Sequence, residues 1–126
     1  MNFQPQDQVA GHFDSKANEY FDWYHLQNLE GHSFRIRKTR CMDMLSTVPA
    51  GGHVADIGCG PATMIKELLD RGFIVTGTDI APHMIEEYKT RFANEPRASF
   101  VVCSAEHIPL PNGSQNAVTA MGLLEY

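Results

Sequence analysis

The 126-residue chain is poor in cysteine, has one tryptophan, no excess of positive charge and no apolar run of membrane-spanning length. Its three cysteines, Cys41, Cys59 and Cys103, are odd in number and far apart. That excludes a disulfide framework or a closed zinc site and predicts reduced thiols. Ten Lys and Arg against fifteen Asp and Glu leave a net charge of −5. A broad footprint for nucleic-acid phosphates is therefore not expected, and the expected partner is a small molecule. No basic segment followed by an apolar run opens the chain, and nothing approaches the length of a bilayer span, so a cytoplasmic protein without membrane contact is expected. The six histidines are dispersed without a His-Glu-x-x-His spacing, so no metal is expected. Repeats and low-complexity linkers are also lacking. With 43% hydrophobic and 20% charged residues, the composition fits one globular domain with a core.

Against these absences stands one informative stretch. Val54-Ala55-Asp56-Ile57 reads as a buried strand and Gly58-Cys59-Gly60 as a tight turn. A helical segment marked by Ile65, Leu68 and Leu69 follows, with Gly72 as its stop. A second strand over 73–79 ends in Asp79, nineteen residues beyond Gly60. Glycines at 58 and 60 let the backbone approach a ligand where a Cβ would collide, and the following helix offers unpaired N–H groups. Asp79 at the carboxyl end of the second strand is placed to accept two hydrogen bonds from a ribose diol. The unit reads as a nucleoside-binding βαβ.

Two departures from the dinucleotide pattern define which nucleoside. Thr63 stands where a pyrophosphate-binding turn wants a small residue. Asp56, two residues before the first glycine, would repel a pyrophosphate and favour a ligand with positive charge, such as a sulfonium carrying an ammonium group. The run Asp56-Ile57-Gly58-Cys59-Gly60 together with Asp79 resembles the first two motifs of the class I S-adenosylmethionine-dependent methyltransferases. The resemblance continues through a third strand at 98–103, a loop at 104–114 with a proline pair and an Asn-Gly turn, and a fourth strand at 116–121. It covers the chain from about Val54 to its end. Ser104 and Asn116 depart from it, since family members often carry an acid at each position.

The resemblance implies an α/β fold, a Rossmann-like three-layer α/β/α sandwich with a parallel sheet of order 3-2-1-4. Residues 1–50 form an amino-terminal helical extension or lid and residues 51–126 the cofactor-binding core. A complete family member has seven strands, so the later strands are expected to be missing here. The fourth strand would then be an edge whose Ala117, Val118, Ala120 and Met121 lack cover. A fragment of a longer enzyme, a homodimer completing the sheet and a partner-dependent module are all open. The implied cofactor is S-adenosylmethionine, held by Asp56, Gly58, Cys59, Gly60, Asp79, Ile80, Ala105, Glu106 and Met121, with Ile80 covering the adenine. The implied activity is methyl transfer to a small-molecule acceptor, whether at carbon, oxygen or nitrogen, with no residue identified as catalytic. Two rivals remain: a non-catalytic cofactor-binding or assembly module, and an NAD-dependent oxidoreductase.

Upstream, residues 7–46 read as helical with a break near Gly31, and Asp14 or Ser15 is a candidate cap. Tyr20 and Tyr24 are four apart and share a helix face; they are candidates for acceptor contact, with core packing as the plainer reading. Phe34, Ile36, Cys41, Met42 and Leu45 are the expected inward face of the second helical stretch. Arg35 or Arg37 could pair with the cofactor carboxylate, although a solvated basic face with Lys38 and Arg40 is the simpler account.

Overall fold

A computed structural model describes residues 29–60 and 63–121, with side chains from residue 32 and, after the gap, from residue 64. Helix α1 spans Leu29–Met44 and runs into a short 3-10 turn at Leu45–Thr47. Strand β1 is His53–Ile57, helix α2 Thr63–Asp70, strand β2 Ile74–Asp79, helix α3 Pro82–Arg91, strand β3 Ala98–Val102 and strand β4 Ala117–Thr119. The four strands form one parallel sheet in the order β3-β2-β1-β4, as the resemblance implied. Each carboxyl end therefore lies on the same edge.

Register fixes the two faces of the sheet. Val54 pairs with Val75 and Ala117, and Gly77 with Phe100. These positions belong to the face on which the core lies, because side chains alternate along a strand. Val54, Val75 and Phe100 there join Ile65, Leu68 and Leu69 of α2, Met84, Ile85 and Tyr88 of α3, and Met42 of α1 in one buried cluster. The inward face of α2 read from sequence, Ile65, Leu68 and Leu69, is borne out residue by residue. The described residues thus supply the sheet and one helical layer of the sandwich. On the opposite face Thr76 and Ser99 share a hydroxyl hydrogen bond of 3.2 Å in the open. Val118 there is 61% exposed.

Local chemistry explains where the elements stop. The Phe73 N–H donates to the Leu68 carbonyl and the Gly72 N–H to that of Leu69, with Gly72 at φ +89°. This is a Schellman ending whose apolar contact, Phe73 with Leu68, is part of the core. Pro82 at the start of α3 loses no intrahelical bond there. Phe92 is half-buried at the carboxyl cap of α3, and its ring centroid lies 5.5 Å from that of Phe100.

Helix α1 differs from the expectation in two respects. It continues through Gly31 without a break, since one glycine costs a helix only about 1 kcal/mol relative to alanine. Ile36 is 39% exposed, whereas Met42 and Leu45 are buried. At 100° per residue, positions 34, 38, 41, 42 and 45 cluster on one side and 36 falls opposite. Two contacts dock this helix: Lys38 Nζ lies 2.7 Å from Glu67 Oε1, and Arg71 Nη1 donates to the Met42 carbonyl at 2.7 Å. Both pairs have the same sequence offset, so α1 and α2 run in the same direction and α1 begins on the side where α2 begins, after the glycine turn.

The fourth strand is shorter than the expected 116–121. Of the four residues expected to lack cover, Val118 and Ala120 are exposed, while Ala117 and Met121 are half-buried and pack on the core. Tyr20, Tyr24, Asp14 and Ser15 lie outside the described residues.

Candidate functional site

The parallel sheet brings the candidate residues to one rim. Asp56 lies near the end of β1, Gly58, Cys59 and Gly60 form the turn behind it, and Asp79 ends β2 with Ile80 half-buried after it. Gly58 and Gly60 have φ of +64° and +53°, in the left-handed region that residues with a Cβ rarely adopt. A Cβ built on Gly60 meets nothing nearer than the Gly58 carbonyl oxygen at 4.0 Å. Among the described residues, the Gly60 side of the turn is therefore uncrowded.

Asp79 organises the rim. One carboxylate oxygen accepts the Gly60 N–H at 3.0 Å and the other accepts the Ala81 N–H at 3.0 Å. One acid therefore ties the glycine turn to the start of α3 while being only 5% exposed. Its carbonyl also accepts the Cys103 N–H at 3.0 Å, which fastens the loop after β3 beside it. The Cys59 N–H donates to the Thr78 carbonyl at 2.7 Å, and the Cys59 side chain is buried.

Asp56 is 3% exposed. Its Oδ1 accepts the Thr119 hydroxyl at 2.6 Å. The register pairs these two residues directly on the core-side face of neighbouring strands. The Asp56 carboxyl is pushed up to about 6: burial is the largest cause, the Thr119 hydrogen bond opposes it, and the charge of Asp79 adds to the rise. Thiol groups around the acids respond in kind. Burial raises Cys59 strongly and Asp56 and Asp79 add to it, while Cys103 is raised by burial and lowered by a hydrogen bond with Thr78.

Ala105 and Glu106 are exposed in the loop after β3, where the Glu106 N–H donates to Ser104 Oγ at 3.2 Å and the His107 N–H to the Ser104 carbonyl at 3.1 Å. Asn116, the other departure from the family pattern, serves strand placement: its Oδ1 accepts the His53 N–H at 2.8 Å, and its N–H donates to the His53 carbonyl at 2.8 Å. Among the described residues no group of three or more His, Cys, Asp or Glu is arranged to hold a metal ion, and no helix is long and apolar enough to cross a membrane.

The glycine turn, the acid ending β2 and the strand order are joined by a family match over residues 54–126, whose profile describes a methyltransferase domain. The chain belongs to the class I S-adenosylmethionine-dependent methyltransferases. Among curated methyltransferases, it is 31% identical over 98 residues to trans-aconitate 2-methyltransferase of Rhodopseudomonas palustris, which covers 75% of this chain and 36% of that one. The chain thus spans about a third of that relative's length. The same fold occurs in a TehB-like S-adenosylmethionine-dependent methyltransferase from Corynebacterium glutamicum, at TM-score 0.65 and 22% identity over 91% of this chain and 57% of the other. It also occurs in geranyl diphosphate C-methyltransferase from Streptomyces coelicolor, at TM-score 0.60 and 19% identity over 68% of this chain and 32% of that one. The Streptomyces structure contains S-adenosyl-L-homocysteine.

Sequence reading of this chain missed Thr119. Its signal was a lone hydroxyl among Ala117, Val118, Ala120 and Met121, but only strand register shows what the hydroxyl meets.

Proposed function

We propose that this chain carries the cofactor side of a methyltransferase that moves a methyl group from S-adenosylmethionine to a small-molecule acceptor. The observation that supports this best is the buried Asp79 carboxylate, which accepts the Gly60 N–H of a glycine turn that no described residue crowds at Gly60. A carboxylate so placed suits a ribose diol. Gly58, Cys59 and Gly60 would lie along the amino-acid end of the cofactor, Ile80, Ala105 and Glu106 around its adenine, and Met121 on the apolar side. Asp56 disfavours a pyrophosphate and so weighs against an oxidoreductase using NAD.

The sulfonium supplies the driving force, since its methyl group leaves to an acceptor by direct displacement. The chain's part is to hold the reacting carbon in line with the acceptor and to exclude water. Residues at the rim do this by fixing the ribose through Asp79 and the turn through the Gly60 N–H. Tyr20 and Tyr24 are the proposed acceptor contacts, as the family resemblance implies. A cytoplasmic setting belongs to the same proposal.

Calorimetric titration with S-adenosylhomocysteine tests the reading, beside Asp79→Ala, Asp79→Asn and an NAD control. Binding in the micromolar range that Asp79→Ala loses and Asp79→Asn weakens at least tenfold supports it, provided thermal melts show both variants folded. Equal binding by all three proteins, or preference for NAD, refutes it.

A further inference from the structure

We propose that Thr119 is a positioning residue of this site, whose hydroxyl holds the Asp56 carboxylate in place to receive the cationic amino-acid end of the cofactor. This rests on the cofactor reading above.

Three observations carry it. First, the Thr119 Oγ1 to Asp56 Oδ1 distance of 2.6 Å is that of an O–H···O⁻ bond, which is shorter and stronger than a neutral one. Secondly, both partners are almost fully buried, at 5% and 3% exposure, where a polar pair is costly unless each member is satisfied. Thirdly, the surroundings are anionic or neutral. The titratable groups facing Asp56 are Cys41 from α1, Cys59 from the glycine turn and Asp79 from β2, while β4 presents Thr119. Two carboxylates on adjacent strand ends, on the same side of the sheet, make a setting for positive charge. S-adenosylmethionine carries a sulfonium and an ammonium against a single carboxylate, and its demethylated product keeps the ammonium.

Burial alone works against this use of Asp56, because it favours the neutral acid. The Thr119 hydroxyl acts in the other direction by donating to the charged form. It keeps the carboxylate available near neutral pH and turned to one side. Thr119 touches no reacting atom in this account; it acts through Asp56.

The test uses the purified chain, Thr119→Val, which keeps the shape and removes the donor, and Thr119→Ser, which restores it. The Asp56 carboxyl is titrated by 13C NMR, and S-adenosylhomocysteine and adenosine are titrated calorimetrically between pH 5 and 7.5. Wild type shows an Asp56 midpoint near 6 and S-adenosylhomocysteine affinity that rises through it. Thr119→Val moves the midpoint up by about one unit, so its affinity at pH 6 falls about fivefold against wild type and at pH 7.5 less than about twofold. Thr119→Ser returns both towards wild type. Adenosine, which lacks the amino-acid end, shows no such pH dependence with any of the three. A Thr119→Val midpoint that stays in place, a loss equal at every pH, or the same profile with adenosine overturns the proposal. Failure of folded wild type to bind either ligand overturns the cofactor reading itself, and this inference with it.

Discussion

Gly77 offers a sharp quantitative test of how the sheet supports the glycine turn. It sits on β2 with a backbone that needs no glycine conformation, yet a Cβ there would lie 2.8 Å from Phe100 Cδ1, 3.0 Å from Phe100 Cε1 and 3.3 Å from Cys59 Sγ. Real Cβ atoms do not approach a ring carbon so closely, so Gly77→Ala must displace the Phe100 ring. That ring is itself held by Tyr88 and Phe92, with centroids at 5.7 and 5.5 Å. Overpacking of this kind costs about 1–3 kcal/mol. For a domain of this size the melting temperature should fall by roughly 4–12 °C. Urea unfolding of Gly77→Ala, Phe100→Leu and the double variant measures it as a cycle. Phe100→Leu alone should lose about 1–2 kcal/mol. The double variant should be more stable than the sum of the singles by about 1 kcal/mol or more, because the smaller side chain frees the space the new methyl needs. A Gly77→Ala variant as stable as wild type, or strict additivity, would refute the account of the close approach.

The buried acid predicts a pH signature in stability. The Asp56 carboxyl is pushed up to about 6 in the fold from an ordinary value of 3.8, so the folded state binds the proton more tightly and this contribution falls as pH rises from about 4 to 6, by up to about 3 kcal/mol. Asp56→Asn keeps an acceptor for Thr119 and should be more stable than wild type at pH 7 but not at pH 4; equal differences at both pH values in chemical denaturation would count against it. Tyr88 has a buried hydroxyl with no hydrogen-bond partner among the described residues, and burial raises its pKa well above the ordinary tyrosine value. Tyr88→Phe should therefore leave stability unchanged or raise it by up to about 1 kcal/mol, and a loss above about 1 kcal/mol in a thermal melt would reveal a partner for that oxygen.

Much of this was legible from sequence because it depends on short-range patterns. The glycine turn and Asp79 needed only the order strand, turn, helix, strand, and the inward residues of α2 needed only a 3.6-residue period. Helix α1 was read less well, since a list of apolar residues there included Ile36, whose angular position sends it outward. Contacts between distant strands were not legible at all. Thr119 and Asp56 are 63 residues apart, as are Asn116 and His53, and nothing in either local segment announces its mate. The acid at Asp56 could be read as a ligand for positive charge, but its pairing with β4 required the register.

That register has a further consequence for β4, which is only three residues long. A strand so short gains little from its ladder, roughly 1 kcal/mol per backbone bond, so side chains must fix its register. Sliding by one position would set Val118 or Ala120 against Asp56; sliding by two would set Ala117 or Met121 there. Each shift would strand a buried acid without its hydroxyl, a loss of several kcal/mol if it stays charged, and would break the Asn116 clasp at the other end. A single hydroxyl thus serves as a check digit for alignment: against slips of one or two residues along β1, only the observed register satisfies the acid it passes.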